Sequence, residues 1–391
     1  MAETTLNGVR RRSSPTSNSG RLLMTNSEAP LTSDSISPTT GNLTIKIATL
    51  NCWALPQPWP IGSKHRKYRL DALAEALNES DYDIVSLQEL WSERDFLDIY
   101  NQVRDKFPYR HYFHSGYTGS GTCIMSRWRI MSTLIHRYSL NGFPHHIHRA
   151  FELAQFVRHT SRDADFLILT GDFNIEPEDL GYHIIRTIAN LKDAWLDRKP
   201  ISNPQNPTGM TCDRPDNCFT NKKILKSNPF GKRLDYIMYQ SIRKNFKLLQ
   251  CENCFDVIPG PKKINFSDHL GVSAIFELQN FDGYMESERH INRQFLEQAQ
   301  DILNEGEKRI IWDRRFFGGI CFLLLLLIFG ISNLTNIFPF SNIIIIIIQI
   351  FLTLLLGFSF WHGLVFLTIE RRAITETSWN IIDMLGGTTT T

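Results

Sequence analysis

The sequence predicts an α/β sandwich of two sheets flanked by helices, followed by a two-helix apolar hairpin. Three observations carry this prediction. Apolar runs of strand length interleave with segments whose apolar residues recur at helical spacing. The polar residues suited to chemistry fall at strand ends and in loops. The 54 residues from Phe316 to Ile369 contain no Asp, Glu, Lys or Arg.

Residues 1–42 are rich in Ser, Thr, Asn and Pro, with Arg10, Arg11 and Arg12 as a basic knot. So little apolar surface cannot offset chain entropy, and a disordered tail is expected. A domain over residues 43–280 follows. Leu43 to Leu50 reads as a short strand ending at Asn51, and Trp53 to Pro60 as a loop. Leu70, Leu73, Ala74 and Leu77 have helical spacing, and that helix stops at Asp81 to Asp83. Ile84 to Gln88 reads as a buried strand with Glu89 at its end. Ser92 and Asp95 form a capping box for a helix reaching Lys106. Gly116, Gly119 and Gly121 punctuate a turn between two strands. Phe151 to Thr160 is predicted helical, and Asp165 to Thr170 is a strand that opens onto Gly171-Asp172-Phe173-Asn174. Residues 199–230 read as loop, Leu234 to Tyr239 as strand, and Ser267-Asp268-His269 precedes a final strand from Gly271 to Phe276.

A helical connector spans 281–315. Its stripe of Ile291, Phe295, Ala299 and Ile302 is expected to pack on the domain rather than lie on a membrane. Beyond it, one bilayer crossing needs about 20 residues, so residues 316–369 suffice for two. Ser332-Asn333 and the segment Pro339 to Asn342 mark the break between them. Ile343 to Ile348 is apolar on every helix face, which argues against a buried soluble pair. Arg314 and Arg315 precede the first span, and Arg371 and Arg372 follow the second. The positive-inside rule therefore puts both flanks, the large domain and a tail over 370–391 in the cytosol. The endoplasmic reticulum or another intracellular membrane is the expected location. The formal net charge is only +2, which offers no case for nucleic-acid binding by bulk charge. Seven unpatterned cysteines suit a reducing compartment, and Cys251-Glu252-Asn253-Cys254 reads as ordinary thiols rather than zinc ligands. The N-terminus shows no apolar run of signal-peptide type.

Hydrolysis of a phosphodiester needs a cation on the phosphoryl oxygens, a base for water, donors for developing charge and an acid for the leaving oxygen. The sequence offers a matching set. Asn51 can donate to a phosphoryl oxygen, Glu89 can hold the metal, and Asp268 adds a second carboxylate. Asp172 and Asn174, two apart, would share one face of an extended segment; the same Gly-Asp-x-Asn can also form an Asx turn. His269 is the candidate base, with Asp235 as the group that orients its ring.

In this order the motifs resemble the endonuclease/exonuclease/phosphatase superfamily, whose DNase I-like fold is a two-sheet sandwich with its site at one end. Further matches look like the neutral sphingomyelinases of animals. They include Lys64-His65-Arg66, Trp91-Ser92-Glu93, Ser115-Gly116, Gly119-Ser120-Gly121 and Leu140-Asn141-Gly142-Phe143-Pro144. Glu152-Leu153-Ala154-Gln155-Phe156 and Pro177-Glu178-Asp179-Leu180-Gly181 match as well. The resemblance covers roughly residues 43–280. It implies Mg2+ at Glu89, His269 as the water-activating base, and Asp172 and Asn174 on metal and phosphate. It also implies sphingomyelin as substrate, ceramide and phosphocholine as products, and a membrane as partner.

The sequence departs from that pattern in one place. His148-Arg149 runs directly into Ala150-Phe151-Glu152, and only 29 positions separate Gly142 from Gly171. Two central strands of the family pattern have no counterpart, and the second normally brings the histidine that serves the leaving group. His145, His146 and His148 precede the gap, in an expected loop, and are read as bystanders. Impaired turnover is the expectation, with exposed backbone on the strands beside the gap. The alternatives are a lipid-binding form without turnover, or a relative acting on lysophospholipids, inositol phosphates or nucleic acid.

Overall fold

The computed structural model describes residues 43–56, 62–114, 121–138, 145–199, 208–279, 292–334 and 342–385. The N-terminal tail, Gly116, Gly119, the Leu140–Pro144 motif and Ile291 lie outside them.

β1 (Leu43–Asn51) is buried on both faces, as a central strand must be. Ile45 and Ile47 face one way, and Ala48 and Leu50 the other. It pairs in parallel with β2 (Ile84–Gln88) and antiparallel with β9 (Gly271–Gln279). β3 (Tyr109–Tyr112), β4 (Cys123–Ser126) and β8 (Asn245–Cys254) complete a six-stranded sheet of order β3-β4-β2-β1-β9-β8. The outer face of this sheet carries α1 (Arg66–Glu79) and α2 (Glu93–Val103) over Leu50, Val85 and Leu87. Ser92 caps α2, its Oγ accepting from Asp95 N at 3.3 Å.

A second sheet contains β5 (Phe166–Asp172), β7 (Asp235–Ser241) and the short β6 (Lys192–Asp193), in the order β5-β7-β6. The two sheets enclose an aromatic layer, with Phe246 stacked on Phe166 at 4.1 Å and on Phe276 at 4.4 Å. Helices α3 (His145–Thr160) and α4 (Leu180–Ala189) cover the outer face of the second sheet. Short helices α5 (Ala194–Asp197) and α6 (Lys222–Ser227) sit in the connections.

β5 pairs with β7 alone among the described strands, so among the described residues its other edge has no partner strand. Six of its seven residues are only half-buried. Residues 127–138 form no strand, and Met131 and Leu134 expose 81% and 67% of their surface.

α7 (Arg293–Leu334) is one continuous helix through the connector and the first apolar segment. Its inner stripe is Leu296, Ala299, Leu303 and Ile310, packed with α4, while Phe295 stacks on His183 at 4.3 Å. α8 (Asn342–Phe360) passes through a π-helical stretch, Trp361–Phe366, into α9 (Leu367–Met384). Two helices here are long and apolar enough to cross a membrane. Residues 370–384, read from sequence as tail, are helical, and Ala373, Ile374 and Ile381 are buried against the domain.

Other readings also change. α3 starts at His145 rather than Phe151, so the three histidines lie on a helix rather than in a loop. β8 was not foreseen. It carries the Cys-x-x-Cys segment, and on a strand residues three apart point to opposite faces. Cys251 enters the layer between the sheets and Cys254 packs beneath α1 and α2, so the two cannot share a metal ion.

Candidate active site

Both sheets end at the same place. Asn51 is the last residue of β1, and its register partner on β2 is Gln88. Asp172 is the last residue of β5 and Asp235 the first of β7, and the two are direct cross-strand partners. Two like charges in that position repel, so the pair requires a neighbouring positive group. His269, just before β9, supplies it. Its Nδ1 lies 2.8 Å from Asp235 Oδ2 and its Nε2 4.0 Å from Asp172 Oδ2. Asn51 Nδ2 donates across the sheets to Asp172 Oδ2 at 3.0 Å.

Glu89 leaves β2 in a left-handed conformation, φ +54°. That turn is held by Ala54 N donating to Glu89 O at 2.9 Å and Leu90 N to Gly121 O at 2.8 Å. A Cβ on Gly121 would meet Glu89 Cα at 3.2 Å, so the close approach that aims Glu89 requires glycine there. Asn174 is also left-handed, φ +51°, which corrects the extended reading of this motif. The segment is an Asx turn: Asn174 N donates to Asp172 Oδ1 at 2.9 Å, and Asn174 Nδ2 to Oδ2 at 3.3 Å. Asp268 accepts from Ser267 Oγ at 3.1 Å.

Electrostatically the site is an excess of carboxylates. Burial raises the pKa of Glu89, and Asp268 and Asp172 add to the rise against the Asn51 hydrogen bond. Burial and Asp235 raise Asp172, and burial raises Asp268. Burial alone would lower His269, but the charge and hydrogen bond of Asp235, with Cys212, outweigh it, and its pKa stands well above the ordinary value. Asp172, Asp235 and His269 bring three possible ligand atoms within 4.8 Å of one another, a group able to hold a metal ion. Within it, His269 Nδ1 and Asp235 Oδ2 already satisfy each other, whereas Asp235 Oδ1 is buried without a hydrogen-bond partner. Oxygen donors in excess, raised by burial and mutual repulsion, fit a hard divalent cation.

Several supporting residues escaped the sequence reading. Arg69 is 0% exposed, and it donates to Cys52 O, Phe266 O, Trp53 O and Lys64 O at 2.7–2.9 Å. It ties the loop after Asn51 to the loop before Asp268. Its signal was a charge four residues before Leu73, on the apolar side of a helix. Behind Asp235, Arg233 pairs with buried Asp193 at 2.7 Å, and Asp193 also accepts from Tyr182 Oη at 2.6 Å.

Comparisons with known proteins give the family. Residues 48–269 match the model of the Endonuclease/Exonuclease/phosphatase family. A Caenorhabditis elegans protein named "Putative neutral sphingomyelinase" is 40% identical over 392 aligned positions, covering 84% of this chain and 88% of that protein. "Sphingomyelin phosphodiesterase 2" of Homo sapiens is 32% identical over 247, covering 51% of this chain and 57% of that one. Among solved structures, sphingomyelinase C from Streptomyces griseocarneus is similar at a TM-score of 0.43 and 14% identity, over 61% of this chain and all of that one. The chain belongs to the endonuclease/exonuclease/phosphatase family, on its neutral sphingomyelinase branch.

Proposed function

We propose that this chain hydrolyses sphingomyelin to ceramide and phosphocholine, with Mg2+ bound by Glu89 and Asp268. The meeting of Asn51, Glu89, Asp172 and the His269–Asp235 pair at one end of the sandwich carries the reading. A bound Mg2+ would neutralise phosphoryl charge and offset the repulsion among the carboxylates. Asp235 fixes the proton on His269 Nδ1, which leaves Nε2 to accept a proton from the attacking water. The amides of Asn51 and Asn174, which now point at Asp172, are the donors an incoming phosphoryl oxygen would meet. Asp172 holds both amides in place.

The apolar helices anchor the domain at its substrate. We place the domain and both hairpin flanks in the cytosol, at the endoplasmic reticulum or another intracellular membrane. Arg371 pairs with Glu307 on α7 at 2.9 Å, which supports both flanks lying on one side.

The test uses the full chain purified in mixed micelles of detergent and sphingomyelin. Phosphocholine release should require Mg2+, stop with chelator, and be lost in Glu89→Ala. The open edge of β5 favours a second reading, a lipid-binding form with weak or absent turnover. Sphingomyelin binding unaffected by Glu89→Ala, without phosphocholine release, would establish that reading instead.

A further inference from the structure

The shortened chain brings a different histidine to the site. α3 has 16 residues and β5 has seven, joined by a short turn. At 1.5 Å and 3.3 Å per residue, these elements are about 24 Å and about 23 Å long. A helix and a returning strand of equal length bring the start of one level with the end of the other. The first turns of α3 therefore lie beside Asp172, the last residue of β5. A cavity of about 220 Å³ occupies that junction, and Tyr138, His146, Arg149, Asp172, Asn174 and Ile175 are among the residues lining it.

α3 and α4 approach closely beside this cavity. A Cβ on Gly181, at the start of α4, would meet Ile175 Cδ1 at 3.2 Å, Ala150 Cβ at 3.4 Å and His146 O at 3.7 Å. The first turns of α3 thus lie in van der Waals range of the start of α4, beside the segment after Asn174. The neighbouring histidine points elsewhere. His148 is buried, with Nδ1 2.8 Å from Thr377 Oγ1 and Nε2 3.2 Å from Glu152. Arg149 lies over the Tyr138 ring, 5.7 Å from its centroid, on the same cavity.

We infer that His146 is the acid for the leaving group in this chain, standing in for the strand histidine it lacks, and that Arg149 binds the phosphoryl oxygens beside it. The inference rests on the phosphodiesterase reading above. Water oxygen bonds to phosphorus, and its proton passes to His269. The bond from phosphorus to the lipid oxygen breaks, and the electron pair stays on that oxygen. The proton on the His146 ring moves to it, giving the free alcohol of ceramide. His146 is exposed and is reprotonated from solvent.

An alkoxide of a lipid alcohol leaves poorly without a proton, whereas p-nitrophenolate needs none. Full-length wild type, His146→Gln and Arg149→Ala are compared in micelles on sphingomyelin and on p-nitrophenylphosphocholine. His146→Gln should lower kcat on sphingomyelin by about 10²–10⁴-fold, the usual range for acid catalysis, and leave the aryl substrate nearly unchanged. Arg149→Ala should lower both by roughly 10- to 100-fold, as loss of a charge-assisted hydrogen bond does. In a binding experiment without metal, phosphocholine should shift the imidazole resonances of His146 and not those of His159. Equal loss on both substrates in His146→Gln, or no loss on either, overturns the assignment, as does an unshifted His146. Wild type that cleaves the aryl ester but not sphingomyelin also overturns it, while the phosphodiesterase reading stands. Wild type that cleaves neither overturns both.

Discussion

Removing Arg69 should loosen the site and the domain together. Its guanidinium is fully buried, and of its four carbonyl partners Cys52 O and Phe266 O are buried too. In Arg69→Met both lose their donor and neither reaches water. A buried acceptor left unsatisfied costs about 1–3 kcal/mol, so the two together cost about 2–6 kcal/mol. Against a total stability of about 5–15 kcal/mol this is a large fraction. Even the lower end should drop the melting temperature by roughly 4–8 °C. Arg69→Lys keeps the charge, but a single ammonium cannot reproduce the planar fork, so it should fall between wild type and Met. The assay is thermal unfolding of the full chain in detergent, paired with kcat and KM measured well below the transition. Cys52 follows Asn51 directly, and Phe266 lies two residues before Asp268, so kcat should fall in the folded fraction as well. A Met variant that melts within 1 °C of wild type, with unchanged kcat, would refute the reasoning.

Asp235→Asn removes the charge that raises His269, so the acidic limb of the pH–rate profile, which follows deprotonation of the base, should move to lower pH while maximal kcat falls by about 10²–10⁴-fold; an unmoved limb counts against the pairing. Glu89, Asp172 and Asp268 titrate above their ordinary range in the folded protein. The metal-free fold thus binds protons more tightly than the unfolded chain, and its stability should decline as pH rises from the ordinary carboxylate pKa through these raised values. Mg2+ at 100 times its Kd should restore about 2.7 kcal/mol near neutral pH and much less in acid, and Glu89→Gln should abolish that gain in a melting experiment. Alternate amides of β5, those on its open edge, should exchange with deuterium far faster than those bonded to β7; uniform protection along β5 would mean that another segment covers the edge.

Much of this molecule is legible in its sequence, and the reasons differ by element. β1 and β2 announce themselves because each is short, apolar and runs into a polar residue, Asn51 or Glu89. That Glu89, Asp172, Asp235 and His269 gather at one place is readable because strand ends leave backbone geometry little choice. Asn174 defeats the periodicity argument, since one left-handed residue replaces the alternation of a strand. β8 was hidden by its composition: an edge strand with Lys247, Gln250 and Glu252 facing water lacks a continuous apolar run. The start of α3 was missed because His145, His146 and His148 carry no helical signal. They are helical because Ile147, Ala150, Phe151 and Ala154 extend the buried stripe one turn further. Arg69 was missed because three of its four partners are backbone carbonyls from two distant segments, and no local pattern encodes them.

α7 has a consequence for how such a catalyst meets its substrate. Its 42 residues span about 63 Å, while a hydrocarbon layer is about 30 Å thick. The remainder is no loose tether, because Leu296, Ala299 and Leu303 are packed into the domain and α9 returns alongside. With the hairpin inserted as proposed, the catalytic end stands at a fixed height and tilt above the lipid surface. Encounter then becomes lateral diffusion in two dimensions. The rate would follow the number of lipid molecules per unit area, and diluting substrate with inert lipid would slow turnover where adding more vesicles of the same composition would not.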